Sequence, residues 1–234
     1  MIGPLIGGAS KINFATAVLN LIGDGNSFGA GVGASDAAHF LYAQMAAADP
    51  INGRAVFTNV AVSGQSIRDM INRAPAQVDV RFNSTVGVAN IYFPEEGTNA
   101  ICNSGTGAGR TGVQAASDMA ELCLGRKAIN PGWKIVAFTQ IPRFGLITAW
   151  STTQANAYIR EYNDILRANY RAMGIDAVAD VAALPQFYAD PAATSCPPAM
   201  QAYMYESGGA VHPNDGGYGL HAPVGNAAMQ TLRR

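Results

Sequence analysis

Short apolar runs typical of buried strands alternate with helical patterns along most of this 234-residue chain. Strands that alternate with helices are typical of a parallel sheet covered on both faces, and continuously apolar strands indicate burial on both sides. The sequence therefore predicts an α/β fold, a three-layer α/β/α sandwich with a mostly parallel five-stranded sheet. The predicted strands are residues 17–22, 55–62, 88–93, 134–139 and 177–181, and the predicted helices are residues 35–48, 66–73, 109–127, 152–173 and 215–232.

Composition indicates one large domain with a substantial core. Hydrophobic residues make up 49% of the chain and charged residues only 13%, which is enough for a sizeable core in a chain of this length. We expect residues 1–16, which are glycine-rich and weakly patterned, to be an N-terminal arm or connection, and residues 17–234 to be the domain. The irregular stretch 184–211 is predicted to run over the surface, where loops of that length are usually functional or mobile.

Charge and hydropathy exclude several classes of partner. A net charge of −1 argues against a nucleic-acid or anionic-membrane surface. No apolar run is long enough to span a bilayer. Residues 1–22 are apolar but lack a basic N-terminal region, so we expect no signal peptide. A monomer is the default expectation for the oligomeric state.

Cysteine and histidine content gives no sign of a metal site. Cys102, Cys123 and Cys196 lack metal-ligand spacing and are typical of small buried hydrophobic residues, although Cys102 and Cys123 could pair. The three histidines are scattered, and His39 and His221 are most simply helix residues. We therefore predict no metal and no cofactor.

The chain turns sharply after the first predicted strand, where Gly25, Asn26, Ser27 and Phe28 precede a glycine-rich run. Open α/β sheets bind ligands at the carboxyl ends of their strands, where this turn presents the Ser27 hydroxyl. A helix beginning just behind Ser27 would aim free N–H groups at that hydroxyl and stabilise negative charge. Two phosphate-binding interpretations of this run fail. It lacks the glycine spacing and the acidic partner of the dinucleotide-binding fingerprint, and it lacks the Gly-Lys-Ser/Thr of a Walker loop. Two interpretations of Ser27 stay open: it is a nucleophile, or it only caps a helix.

Three more places along the chain carry residues suited to catalysis. Gly64 follows the second strand and lets a backbone N–H approach a ligand, Asn99 follows the third strand with a neutral amide donor, and His212 precedes the last helix. Together with Ser27 they supply a nucleophile, a base and three oxyanion donors, which are the Ser27 N–H, the Gly64 N–H and the Asn99 side chain. Acyl transfer requires that set.

In this order the motifs resemble the four blocks of the SGNH, or GDSL-type, hydrolase family. Gly25-Asn26-Ser27 stands where the family has Gly-Asp-Ser, and Gly64, Gly97-Thr98-Asn99 and His212-Pro213 follow it. The resemblance extends over residues 17–232 and includes the segments 139–143 and 175–180. It implies the flavodoxin-like SGNH hydrolase fold and serine esterase activity, with Ser27 as nucleophile, His212 as base, and Gly64 and Asn99 as oxyanion donors.

One departure from the family concerns the residue that orients the histidine. The family usually has an aspartate three residues before the histidine, and here that position is Gly209. Without an acceptor at Nδ1 the imidazole can adopt the wrong tautomer. Three explanations stay open: a backbone carbonyl orients His212, Glu206 folds back through the glycine pair as the orienting acid, or the site is weakened and the domain mainly binds. A second departure, Asn26 for aspartate, is not expected to abolish the nucleophilicity of Ser27.

Two hypotheses on function follow. The first is a serine ester hydrolase that removes a small acyl group, such as acetyl, from a carbohydrate or similar alcohol through an acyl-enzyme on Ser27. Its substrate is a small-molecule or carbohydrate ester, with lipid and thioester substrates left open. The second is a catalytically weak or inactive SGNH-fold module with a carbohydrate-binding or structural role. The motif Gly-Asn-Ser-Phe is similar to that of SGNH domains in phage and bacterial-surface proteins. The cytoplasm, a phage assembly and the cell surface therefore all stay open as locations.

Two further patterns have structural interpretations. Glu95 and Glu96 are adjacent in a predicted strand end and point to opposite faces, which makes them a poor acid–base pair. Phe144, Trp150 and Tyr188 fall in or near loops after the fourth and fifth strands, where a sugar- or acyl-binding platform and simple packing are both open.

Overall fold

An all-parallel sheet forms the centre of the molecule. The computed structural model describes residues 11–14, 16–47, 54–102, 109–206 and 211–233. Within them the strands are β1 (Val18–Gly25), β2 (Ala55–Asn59), β3 (Val88–Glu95), β4 (Lys134–Phe138) and β5 (Ala177–Ala179), in the spatial order β2-β1-β3-β4-β5. The prediction of a mostly parallel five-stranded sheet is confirmed. The strand order reverses between β1 and β3, which is the switch point where such sheets bind ligands.

Helices cover both faces of this sheet. Along the described chain they are α1 (Leu41–Ala47), α2 (Ile67–Gln77), α3 (Thr98–Cys102), α4 (Gly112–Ile129), α5 (Thr152–Asn169), α6 (Pro198–Gln201) and α7 (Asp215–Gln230). The helices α1, α6 and α7 share one core with the sheet, and α2, α3, α4 and α5 share the other. Alternate strand residues serve the two layers, since Phe93 lies in the first core and Tyr92 in the second. The predicted three-layer sandwich is confirmed.

The first helix begins later than predicted. A helix over residues 35–48 was expected, but turns and bends fill residues 35–40 and α1 begins at Leu41. Asp36 Oδ1 accepts the N–H of Ala38 at 2.7 Å, which stabilises a local turn in competition with a helix. Ser35, where the helix was expected to begin, instead donates its hydroxyl to Asp215 Oδ2 at 2.6 Å. The prediction is wrong at this end because polar side chains bond locally and to α7.

The stretch 184–211 is more buried than predicted. It contains a short 3₁₀ turn, Pro185–Phe187, and the helix α6. Phe187, Cys196 and Met200 lie in the core below α7. The segment therefore packs as a part of the domain, because it carries enough apolar side chains to be buried on one side. Residues 207–210, which include Gly209, lie outside the described residues.

The N-terminal end is described only in part. Residues 1–10 and 15 of the predicted arm lie outside the described residues. Ile12 and Phe14 are buried in the core, and the Ile12 N–H donates to the Leu232 carbonyl at 2.9 Å. The boundary between arm and domain at residue 16 stays a prediction.

Two sequence-based expectations concern cysteines and membrane spans. Cys102, Cys123 and Cys196 are buried free thiols, so Cys102 and Cys123 do not pair. No helix in the described part of the chain is both long and apolar enough to cross a membrane.

Candidate active site

Three neighbouring strands bring Ser27, Gly64 and Asn99 to the same edge of the sheet. Ser27 follows β1, Gly64 follows β2, and Asn99 lies in α3 directly after β3. Asn99 Nδ2 donates to the carbonyl of Gln65, next to Gly64, at 3.0 Å. The proposed nucleophile and two proposed oxyanion donors therefore lie at the switch-point edge.

His212 reaches this edge from the C-terminal part of the chain. Its Nε2 lies 2.9 Å from Ser27 Oγ, and its Nδ1 hydrogen-bonds Glu206 Oε1. Glu206 Oε2 also accepts the backbone N–H of His212 at 2.8 Å and that of Val211 at 3.1 Å. The three side chains form a continuous Ser–His–Glu chain of the kind that activates a serine hydroxyl. Of the three explanations for Gly209, this geometry favours an orienting acid supplied by Glu206.

The charge of Glu206 selects the tautomer of the His212 imidazole. Burial raises the pKa of Glu206, but the hydrogen bonds from His212 and Val211 outweigh burial and hold the pKa below the usual value for a glutamate. Glu206 is therefore a carboxylate at neutral pH. A carboxylate at Nδ1 favours the tautomer that carries its proton on Nδ1 and leaves a lone pair on Nε2. That lone pair faces the Ser27 hydroxyl, so His212 is set to accept the serine proton.

Packing holds the imidazole in place. The Tyr205 N–H donates to the His212 carbonyl at 2.8 Å. The Phe28 ring lies edge-on to the imidazole, with 6.1 Å between ring centroids. Gly33 lies against the same loop with a φ of +93°, and a Cβ there would collide with the Pro213 carbonyl. The turn that carries Ser27 can therefore approach the histidine loop only with glycine at this position.

The turn that carries Ser27 is not a helix start. Asn26 Oδ1 accepts the N–H of Phe28 at 2.8 Å, and hydrogen-bonded turns continue to residue 33. Gly25 has a φ of +153°, and a Cβ there would collide with the Glu95 carbonyl. The expected helix N-terminus directly behind Ser27 is wrong, because side-chain and backbone bonds within the turn replace a helical start.

A buried glutamate explains why asparagine precedes the serine. Asn26 and Glu96 are both buried, and Asn26 Nδ2 donates to Glu96 Oε2 and, at 3.2 Å, to Thr98 Oγ1. Glu96 Oε1 accepts the N–H of Ala100 at 2.8 Å at the start of α3. An aspartate at position 26 would place two carboxylates in contact, whereas the amide supplies a donor. Sequence reasoning considered Glu96 only as a partner of Glu95 and missed this role.

The two proposed oxyanion donors Gly64 and Asn99 have different surroundings. Gly64 is exposed with a φ of +82°, and a Cβ there would meet no atom within 4 Å, so a ligand has room to approach. Asn99 is buried, and its Oδ1 accepts from Arg143 Nη1 at 2.7 Å. Sequence reasoning did not single out Arg143. The only signal for it was its place in the segment after β4 that resembles the family.

The two other histidines and Trp150, which the sequence also singled out, are not part of the Ser–His–Glu chain. His39 is exposed on the surface, and His221 is buried in α7 with Nδ1 2.8 Å from the Gly217 carbonyl. Trp150 Nε1 donates to the Ile101 carbonyl at 2.9 Å, so the indole takes part in packing. Among the residues that the structure describes, no group of His, Cys, Asp and Glu side chains is arranged to hold a metal ion.

Comparison with known proteins identifies the family. The model of the GDSL-like lipase/acylhydrolase family matches residues 21–220, which include every residue of the proposed site. A comparison with curated proteins gave no match.

Solved structures share the fold at low sequence identity. A GDSL-like lipase from Bacteroides thetaiotaomicron is 17% identical, with a TM-score of 0.62 over 91% of this chain and 88% of that one. Phospholipase A1 from Streptomyces albidoflavus is 17% identical, with a TM-score of 0.59 over 91% and 100% of the two chains. A carbohydrate esterase of family 3 from Talaromyces cellulolyticus is 16% identical, with a TM-score of 0.63 over 92% and 98%. The likeness to these structures establishes the fold, and the family match establishes the relationship. The chain therefore belongs to the GDSL-like lipase/acylhydrolase family, and it is an SGNH-type carboxylic ester hydrolase, as the order of its motifs predicted.

Proposed function

We propose that the protein is a serine esterase that removes a small acyl group, acetyl above all, from a carbohydrate or similar alcohol. The observation that carries the proposal is the hydrogen-bond chain from Ser27 Oγ through His212 to Glu206, with 2.9 Å between Ser27 Oγ and His212 Nε2. The choice of substrate is supported by the shared fold of the family 3 carbohydrate esterase.

The reaction proceeds in two steps through a covalent intermediate. Ser27 Oγ attacks the ester carbonyl carbon while His212 Nε2 takes the serine proton, and the carbonyl oxygen becomes an oxyanion. Collapse of this intermediate breaks the bond to the alcohol, which leaves with the proton from His212. Water then attacks acyl-Ser27 in the same way, with His212 as base, and the carboxylic acid and free Ser27 result. Glu206 keeps the imidazole oriented and stabilises the imidazolium.

Three donors are assigned to the oxyanion. They are the N–H groups of Ser27 and Gly64 and the Nδ2 of Asn99, from the adjacent strand ends of β1, β2 and β3. Donors fixed before the reaction stabilise developing charge without reorganisation.

A second candidate is an SGNH-fold module that binds carbohydrate with little or no turnover. It drew its support from Gly209 at the position of the usual acid. A carboxylate from Glu206 on His212 Nδ1 supports the esterase instead, because the imidazole then has its orienting partner.

The test combines labelling with turnover. A fluorophosphonate should label Ser27, as mapped by mass spectrometry, and the protein should hydrolyse p-nitrophenyl acetate faster than esters of long acyl chains. Acetate release from acetylated xylooligosaccharides tests the alcohol. Ser27→Ala should abolish labelling and turnover, whereas Ser117→Ala, on the exposed face of α4, should change neither. A folded wild-type protein without labelling or turnover would favour the binding module.

A further inference from the structure

Arg143 is a buried cation beside the proposed oxyanion donor Asn99. The residue is 6% exposed. Its Nη1 donates to Asn99 Oδ1 at 2.7 Å, and its Nε donates to the Gly145 carbonyl at 2.9 Å. Because a guanidinium carries only donors, the amide must turn its oxygen towards Arg143 and its Nδ2 towards the other side. That other side is the loop of Gly64, where Nδ2 meets the Gln65 carbonyl.

Two asparagines of α5 fix the segment that carries Arg143. The Arg143 N–H donates to Asn156 Oδ1 at 2.8 Å, and Asn156 Nδ2 donates back to the Arg143 carbonyl at 2.9 Å. Asn163, seven residues further along the same face of α5, makes the same pair of bonds with Gln140 at 2.7 and 2.8 Å. All four side chains are buried. The position of the guanidinium is therefore set by a long helix and not by a free loop.

Ion pairing distinguishes Arg143 from Arg126, which is equally buried, and from Arg73, which is half-buried. Arg73 pairs with Asp24, and Arg126 pairs with Asp79 at 2.8 Å. Within the described ranges, Arg143 has no carboxylate at ion-pair distance. A buried charge without a counter-ion is costly. Here it lies directly behind the amide that faces the place where a negative charge forms during acyl transfer.

We propose that Arg143 is a positioning residue of the oxyanion hole. It locks the Asn99 amide with Nδ2 towards the oxyanion, and its charge polarises that amide so that the N–H becomes a stronger donor. Through Asn99 it also couples the α5-anchored loop to the loop of Gly64. The inference rests on the proposed esterase function, because only a developing oxyanion makes this charge useful.

A double-mutant cycle with p-nitrophenyl acetate tests this role. Arg143→Met should lower kcat about tenfold to a hundredfold with KM within about twofold, because the interaction acts in the transition state. Arg143→Lys keeps a charge but cannot make both guanidinium contacts, with Asn99 Oδ1 and with the Gly145 carbonyl. It should lower kcat by about tenfold. In an Asn99→Ala background both substitutions should change kcat less than about twofold, because Arg143 then has no amide to position. Arg126→Met is the matched control, an equally buried arginine that should lower the melting temperature without changing kcat.

The outcomes separate this inference from the proposed function. If Arg143→Met does not fold, the cycle with Arg143→Lys decides in its place. If the wild type is active and the Arg143 variants keep the same kcat, the positioning role alone is overturned. The same holds if the Arg143 substitutions lower kcat by the same factor in the wild-type and in the Asn99→Ala background. A folded wild type with neither Ser27 labelling nor turnover would overturn the esterase, and the positioning role with it.

Discussion

At the scale of single residues, we expect the contact between Glu206 and His212 to have a large effect on catalysis. Glu206→Gln keeps the shape of the side chain but offers an NH₂ group that can force the imidazole into the wrong tautomer. We expect kcat for p-nitrophenyl acetate to fall by about 10²–10⁴, as when the acid of comparable triads is replaced. Glu121→Gln, at an exposed position of α4, is the control and should leave kcat unchanged. A Glu206→Gln enzyme with normal kcat would remove Glu206 from the triad.

We expect Glu95, unlike Glu206, to affect the stability of the fold and not catalysis. Glu95 is 2% exposed, and its Oε2 has no hydrogen-bond partner among the described residues. Burial, with a further contribution from the neighbouring Glu96, raises the pKa of Glu95 to about 8 from an ordinary value of 4.5. The folded protein therefore keeps this proton at neutral pH, whereas the unfolded chain has released it.

The sign of the pH dependence follows from this difference. Between pH 4.5 and about 8 the folded state binds more protons at Glu95 than the unfolded state, so the free energy of unfolding falls as the pH rises. Each unit of pKa shift corresponds to about 1.4 kcal/mol. Glu95→Gln should remove this slope and gain stability over the wild type towards pH 8, in urea unfolding at pH 5, 6.5 and 8. Parallel curves for the two proteins would show that Glu95 does not carry the proton.

At the scale of elements, the turn after β1 depends on the pairing of Asn26 with Glu96. Asn26→Asp restores the usual family residue, yet it replaces a buried amide donor by a second carboxylate. We expect a loss of about 1–3 kcal/mol in the free energy of unfolding, measured with urea, and a lower kcat. Adding Glu96→Gln supplies a donor from the other side and should recover much of the loss. An Asn26→Asp protein as stable as wild type would mean that Glu96 is already neutral there.

Elements also show what the sequence can and cannot predict. Apolar runs predicted the strands, and because parallel strands end at one edge, Ser27, Gly64 and Asn99 could be expected together there. The start of α1 was missed because Asp36 bonds its own turn and Ser35 bonds a residue 180 positions away. Arg143 could not be found from a local pattern, since its contact with Asn99 spans 44 residues.

At the scale of the whole molecule, the proposed site joins distant parts of the chain. Ser27 and His212 are 185 residues apart in sequence, and the proposed oxyanion donors come from three strand ends. The interactions that complete the site therefore also hold the N-terminal strand to the loop before α7. A group bound across the site should stabilise the entire fold, because it binds the folded chain and not the unfolded one.

A covalent adduct on Ser27 offers that test. A phosphonyl group places an oxygen near the Gly64 and Asn99 donors, as the tetrahedral intermediate would, so the new bonds form only in the folded state. If they contribute about 1–2 kcal/mol, the melting temperature of the adduct should rise by roughly 2–8 °C. Hydrogen exchange should also slow at residues 211–214, since the adduct fills the space between Ser27 and His212. Ser27→Ala treated with the same reagent controls for effects elsewhere. A labelled protein with an unchanged melting temperature would mean that the donors do not reach the oxyanion, even though Ser27 is reactive.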